Sequence, residues 1–193
     1  MEIVTFVSIG IIVAVLFYAI MIYNNLVSLK HGVTKAWSNI DVLLKQRHDE
    51  LPKLVETCKQ YMKYEQETLE RVMKARAAVS SAMQRGDVGG VGSAESELRL
   101  GLGNLFAVAE NYPELRSSET IITAQQTYTE VEGHIAAARR FYNSAVTRLN
   151  NAIQIFPGSI IANWAKVRAM PFFELEDTAM RAPVDADDYL GSA

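Results

Sequence analysis

Three histidines, one cysteine and 22 acidic side chains are the groups from which this chain would have to build a metal site or a catalytic centre. A di-iron or di-manganese bundle uses Glu-x-x-His on two helices and a further Glu from each of two others. His31, His48 and His134 are preceded at that spacing by Ser28, Lys45 and Val131, so the signature fails. Glu130 and His134 share a helical face at i, i+4, a pair common on solvated helices. The lone Cys58 supplies neither a disulfide nor a thiolate metal site, and its place on an apolar stripe reads as a small buried hydrophobe rather than a reactive thiol. No Ser, His and Asp grouping and no nucleophile elbow is present. The glycines of "GDVGGVGS" lack the Lys-Ser/Thr ending of a phosphate loop and follow no strand, so they read as a flexible loop between helices. The expectation is a protein with no catalytic residue, no cofactor and no metal.

What remains is a polar interruption in "AWSNIDVLLKQRHDELPKLVE", residues 36–56. Steps of three and four from Trp37 give Ile40, Leu44, Arg47, Leu51, Leu54 and Cys58, a helical seam with a charge inside it. A buried charge is costly unless it is paired or reaches water. The same helix carries Asn39, Asp41, Asp49 and Glu50, and "AARRFYN" later offers Arg139, Arg140, Tyr142 and Asn143. The expectation is that Asp41 or Glu50 meets Arg139 or Arg140 and sets the register between two helices, with solvated charges beside the seam as the alternative. The surface around Trp37 and Arg139 is then the candidate face for a protein partner.

The elements that would position these groups are helical throughout. From Ile3 to Ile22, "IVTFVSIGIIVAVLFYAIMI" carries no charge and, at 1.5 Å per residue, spans about 30 Å, the thickness of a bilayer core. Thirteen of its residues are Ile, Val, Leu or Phe, which favours insertion. The acidic Glu2 in front and "YNNLVSLK" behind do not fit a cleaved signal peptide, so a retained transmembrane anchor is expected over residues 1–22. Gly10 and Ala14 make a small-x-x-x-small pair in it. Lys30, Lys35, Lys45 and Arg47 lie downstream, so the N-terminus is expected outside and the body in the cytoplasm.

Residues 23–175 read as an antiparallel bundle of long helices. The first runs from Tyr23 to about Arg85, with Gly32 and Pro52 as its weak points and its continuity at Pro52 open. A second covers Ala94–Tyr112, capped at Ser93. A third starts at Ser117 or Ser118 and carries eleven apolar seam residues from Ile121 to Phe156, large alternating with small, the pattern of close antiparallel packing. "SIIANWAKVRAM" has the composition of an interfacial helix or of one folded back on the bundle. Residues 176–193 are an acidic tail too poor in apolar groups to fold alone. Net charge is −3 with lysines and arginines scattered, so no nucleic-acid partner is expected.

"YNNLVSLKHGVTKAWSNIDVLLKQRHDELPKLVETCKQY", "ETLERVMKAR", "GLGNLFAVAENYPELRSS" and "AARRFYNSAVTRLNNAIQIFP" together resemble the LemA family, over Tyr23 to Glu174. That resemblance implies an all-α fold, a helical bundle behind one N-terminal transmembrane helix, a body commonly in the cytoplasm of a bacterium, and no established enzymatic activity. The strongest blocks are matched from Trp37 to Asp41, at Arg47, His48, Pro52 and Leu54–Glu56, and from Arg139 to Asn143. Cys58, Lys53 and the acidic tail depart from the pattern. The expected function is a membrane-anchored scaffold or adaptor that associates with itself, with the lipid bilayer and an unidentified protein as partners. Envelope or membrane-stress signalling is the alternative, and a metal-binding bundle enzyme a weaker one.

Overall fold

The computed structural model describes residues 1–175, leaving aside the side chains at 116 and 120. The expected acidic tail, 176–193, lies outside the described residues. Six helices and no strand are found among them: α1 (Glu2–Tyr61), α2 (Gln66–Arg85), α3 (Val88–Ala109), α4 (Pro113–Arg116), α5 (Glu119–Gln154) and α6 (Gly158–Trp164). The chain divides into two compact units, the first holding Met1–Pro52 and Thr123–Phe173, the second Lys53–Ile122.

In the first unit the opening of α1 meets nothing. Every residue from Met1 to Tyr18 is exposed, and the apolar window long enough to cross a membrane has no part buried. The hydroxyls of Thr5 and Ser8 donate back to the carbonyls of Met1 and Val4, which satisfies them without water, as lipid requires. From Leu26 onward α1 acquires a buried face of Leu26, Val33, Ala36, Ile40 and Leu44. The facing seam of α5 is buried at Val131, Ile135, Tyr142 and Leu149, with the smaller Ala138, Ala145 and Ala152 half-buried between them. That alternation lets large groups of one helix enter gaps on the other. Phe156, the last position of the expected seam, is instead 75% exposed, because α5 has ended at Gln154. The Phe156–Pro157 peptide is cis, and a side chain at Gly158 would run into the Ala152 carbonyl oxygen.

Pro52 lies inside α1 without ending it, and Gly32 does not end it either. Pro52 is exposed, so its ring and missing N–H fall on the solvent side of α1.

The second unit corrects two expectations. The first helix does not continue to Arg85; it stops at Tyr61 and restarts at Gln66. Met62 is fully buried just before Glu65, and an uninterrupted helix would carry that carboxylate into the same buried face. The turn leaves Glu65 half-buried and Tyr64 95% exposed. The second correction concerns "GDVGGVGS", which is not a flexible loop. After α2 ends on Gly86 in the left-handed region (φ 66°), Asp87 caps α3, its carboxylate accepting the Gly90 N–H at 2.9 Å. The cap carboxylate occupies the space a side chain at Gly90 would need. The remaining glycines enter the helix, and Gly92 is buried. Further on, Gly101 lets α3 approach Val72 of α2 so closely that a Cβ would sit 3.3 Å from its Cγ2.

Cys58 is fully buried, and burial pushes its thiol up to about 11. The native thiol is therefore expected to resist alkylation at pH 8 and to react on unfolding. Because the folded value lies above the ordinary 9.0, this contribution is complete below pH 9 and is lost as pH rises toward 11. Denaturant midpoints measured across that window should fall more steeply for the wild type than for Cys58→Val, by up to about 2 kcal/mol.

Candidate functional site

The polar groups of the first unit gather where α1 and α5 face each other. Arg47 is 4% exposed and ion-paired to Glu132 of α5. Burial pulls the guanidinium below its ordinary value, opposed by Glu132 and by Tyr128; an arginine nonetheless stays charged. Ten residues back along α1 and ten further along α5, the Trp37 ring lies 5.4 Å from that of Tyr142, tilted by 58°. The two helices are antiparallel and hold one register over this distance.

A strap of extended chain crosses this pair. Asn150 donates to the Met170 carbonyl at 3.0 Å and accepts the Met170 N–H at 2.9 Å. Asn143 repeats the pattern with Phe173 at 3.1 and 2.9 Å. Seven residues of helix rise about 10.5 Å and three residues of extended chain about 10 Å, so two carboxamides two turns apart can read two backbone positions three residues apart. Each Asn does for the strap what a neighbouring strand would do. The Tyr142 hydroxyl, its ionisation made harder by burial, donates to the Pro171 carbonyl at 2.9 Å. Phe173 is thereby fully buried, edge-on to Trp37 at 5.7 Å and 88°. Aromatic pairs of this geometry add about 0.5–1.5 kcal/mol each beyond area burial.

Several expected site residues are placed differently. Of the positions expected in a transmembrane span, Ile3, Gly10 and Ala14 are exposed and Ile22 is half-buried. At the seam an ion pair across the helices joins Arg47 to Glu132, where the expectation is Asp41 or Glu50 with Arg139 or Arg140. The reason is position: Arg47 is on the seam and loses its water, whereas Asn39, Asp41, Glu50 and Arg140 flank it and are exposed, with Arg139 half-buried. Trp37 is not an open partner face, since Phe173 covers it. Asn143 holds the strap rather than a register with α1. Glu132, Asn150, Phe173 and the buried Glu95 of α3 were not anticipated. The seam charge at Arg47 required a partner, and an antiparallel pairing of Trp37 with Tyr142 would have pointed to Glu132.

Among the described residues no three of His, Cys, Asp and Glu come together as metal ligands. The Glu130–His134 pair, 3.7 Å apart, is 75% and 61% exposed. In the second unit an open cleft of about 420 Å³ between α2 and α3 is lined by Arg71, Lys74, Glu97 and Asn104 over Ala75 and Gly101.

The family model of the LemA family matches residues 36–187, which takes in Trp37, Arg47, Glu132 and the whole strap. The chain belongs to the LemA family. Two magnetosome proteins of Paramagnetospirillum magneticum, MamQ 1 and MamQ 2, are each 24% identical to it over 186 residues, covering 84% of this chain and 68% of theirs. MamQ of Magnetospirillum gryphiswaldense matches with the same identity and coverage. This LemA-family protein is membrane-associated and, among the described residues, all-α with one helix long and apolar enough to cross a bilayer.

Removing either carboxamide leaves a backbone N–H and C=O of the strap without partners, at about 1–3 kcal/mol for each unsatisfied group. Asn143→Ala and Asn150→Ala are each expected to lower the thermal midpoint. Together they should free the chain at the already exposed Arg168 for faster cleavage by trypsin and red-shift Trp37 emission, read in a Trp164→Phe background. Unchanged cleavage and emission would mean that the strap is held by other means.

Proposed function

We propose that this LemA-family protein is a non-enzymatic, membrane-anchored scaffold or adaptor that associates with itself, its N-terminus outside and its body in the cytoplasm. One observation carries the reading: a wholly exposed apolar stretch continues without a break into a helix that packs on α5, and the polar side chains buried where the two meet hold the fold. Arg47 is engaged with Glu132, Asn143 and Asn150 with the strap, and Tyr142 with Pro171. In the span, the space around Gly10 is open to a second helix. The cations that follow the span support the orientation. The magnetosome role in the relatives' names is not carried over, because 24% identity within one family leaves the process open.

Signalling from the envelope is the second reading, favoured by the unbroken α1: a shift of the span would be passed into the first unit along one rigid element.

Two measurements test the proposal. Detergent-extracted protein is expected to have a protein mass that is a multiple of 21.5 kDa, reduced by Gly10→Leu with Ala14→Leu; a strict monomer with no copurifying protein would contradict scaffolding. In a Cys58→Ala background, Tyr64→Cys, at a site 95% exposed, should react with an impermeant maleimide only after the cells are opened. Labelling of intact cells would reverse the orientation.

A further inference from the structure

The first unit carries apolar surface that its own packing does not use. Where α5 ends and α6 begins, Ile155, Phe156, Ile160 and Trp164 are 64%, 75%, 59% and 79% exposed. Four large apolar side chains left open within ten residues mark an interaction surface. The helix register says where it lies. Arg47 faces Glu132 and Trp37 faces Tyr142, so fourteen residues further in each direction Tyr23 comes level with Phe156. Tyr23 directly follows Ile22, the last residue of the apolar stretch. Leu26, at 1% exposure, shows that this end of α1 is covered within the unit. If the stretch spans the bilayer, Phe156 and α6 stand at its surface.

The charge pattern selects the kind of surface. No carboxylate occurs from Ile3 to Ile40 or from Gly133 to Phe173, while Lys30, Lys35, Arg139, Arg140, Arg148, Lys166 and Arg168 do, in a chain whose net charge is −3. Cations scattered along the sequence are thus segregated by the fold. Arg139 and Arg140 lie about 25 Å below Ile22, well beyond a Debye length of about 8 Å. Lys30 and Arg148 are nearer, at about 12 Å. Lys166 and Arg168 join α6 to the strap, which runs from Met170 toward Phe173 away from the span. Lys166 also occupies an unusual place. It closes α6 in the left-handed region at φ 53°, with its N–H bonded to the Asn163 carbonyl and that of Val167 to Ala162. Glycine is the relaxed residue there, and the chain holds a cation instead.

We propose that α6 and the tip of α5 make a second, interfacial membrane contact. Phe156, Ile160 and Trp164 enter the headgroup–acyl boundary beside the span, and Lys166 and Arg168 hold anionic phospholipid headgroups. The inference rests on the anchor reading, and the test separates the two.

Full-length protein is reconstituted into equimolar phosphatidylglycerol and phosphatidylcholine vesicles, with bromine on the acyl chains of one lipid or the other. Trp37→Phe leaves Trp164 as the sole tryptophan, and Trp164→Phe leaves Trp37; the wild type minus the Trp164→Phe signal gives the same information should Trp37→Phe fold poorly. Trp164 emission is expected to fall about twofold or more, as for a ring at the acyl boundary, with that of Trp37 unchanged. Brominated phosphatidylglycerol should quench more than brominated phosphatidylcholine, a preference lost in Lys166→Gln with Arg168→Gln. Lys166→Gly should weaken the preference while raising the thermal midpoint, a combination that a purely structural lysine would not give. Trp164 quenched no more than Trp37, in protein that floats with the vesicles after a carbonate wash, would overturn the interfacial contact and leave the anchor standing. Equal quenching by the two lipids would overturn the headgroup assignment. Protein that does not float would overturn the anchor itself.

Discussion

A guanidinium taken out of water costs several kcal/mol unless a carboxylate meets it in good geometry. Arg47 is in that position on α1, and Glu132 of α5 meets it. An apolar seam can slide by a turn and still bury a comparable area; a seam with one charge in it cannot, because the slip strands the charge. The pair therefore sets the register of α1 against α5, and the rest of the first unit follows from that register. Trp37 comes to Tyr142, the two aromatic rings make a place for Phe173, and Tyr23 comes level with Phe156.

The strap shows how irregular chain is fastened to a helix. An extended segment has backbone groups that water would otherwise serve, and burying Phe173 brings some of them against α5. Two carboxamides two turns apart supply a donor and an acceptor each, matching the spacing of extended-chain positions three residues apart. The Tyr142 hydroxyl takes the carbonyl of Pro171, whose missing N–H needs no partner. Side chains of the types that elsewhere form binding sites are here consumed in architecture.

The legible parts of the fold were those with a long period and no exceptions. The long apolar opening of α1, and the seam of α5 from Ile121 to Ala152, could be read because each repeats one rule over many residues. The break at Met62–Glu65 was harder, since neither glycine nor proline marks it. Its signal was two successive seam failures, Glu65 and Thr68, which read as tolerable exceptions within a longer helix. The start of α3 was misplaced because glycines usually argue against a helix interior, whereas here Asp87 caps the helix and its carboxylate fills the space a side chain at Gly90 would need. At the candidate site, Arg47 was recognisable as a charge needing a partner. Glu132 was not, because it stands beside the seam and acquires its role from the antiparallel register. Asn143 and Asn150 carry no signature at all, since their partners are backbone groups that only the folded chain brings near.

The account stands on the coupling between Arg47 and Glu132, which a double-mutant cycle in the full-length protein measures most directly, using Arg47→Met, Glu132→Gln and the double variant. Each single change is expected to destabilise, Glu132→Gln more because it strands the buried cation, and the double variant should recover much of the loss, for a coupling of about 1.5 kcal/mol or more. Additive losses, with a coupling below about 0.5 kcal/mol, would contradict the claim that this pair sets the register.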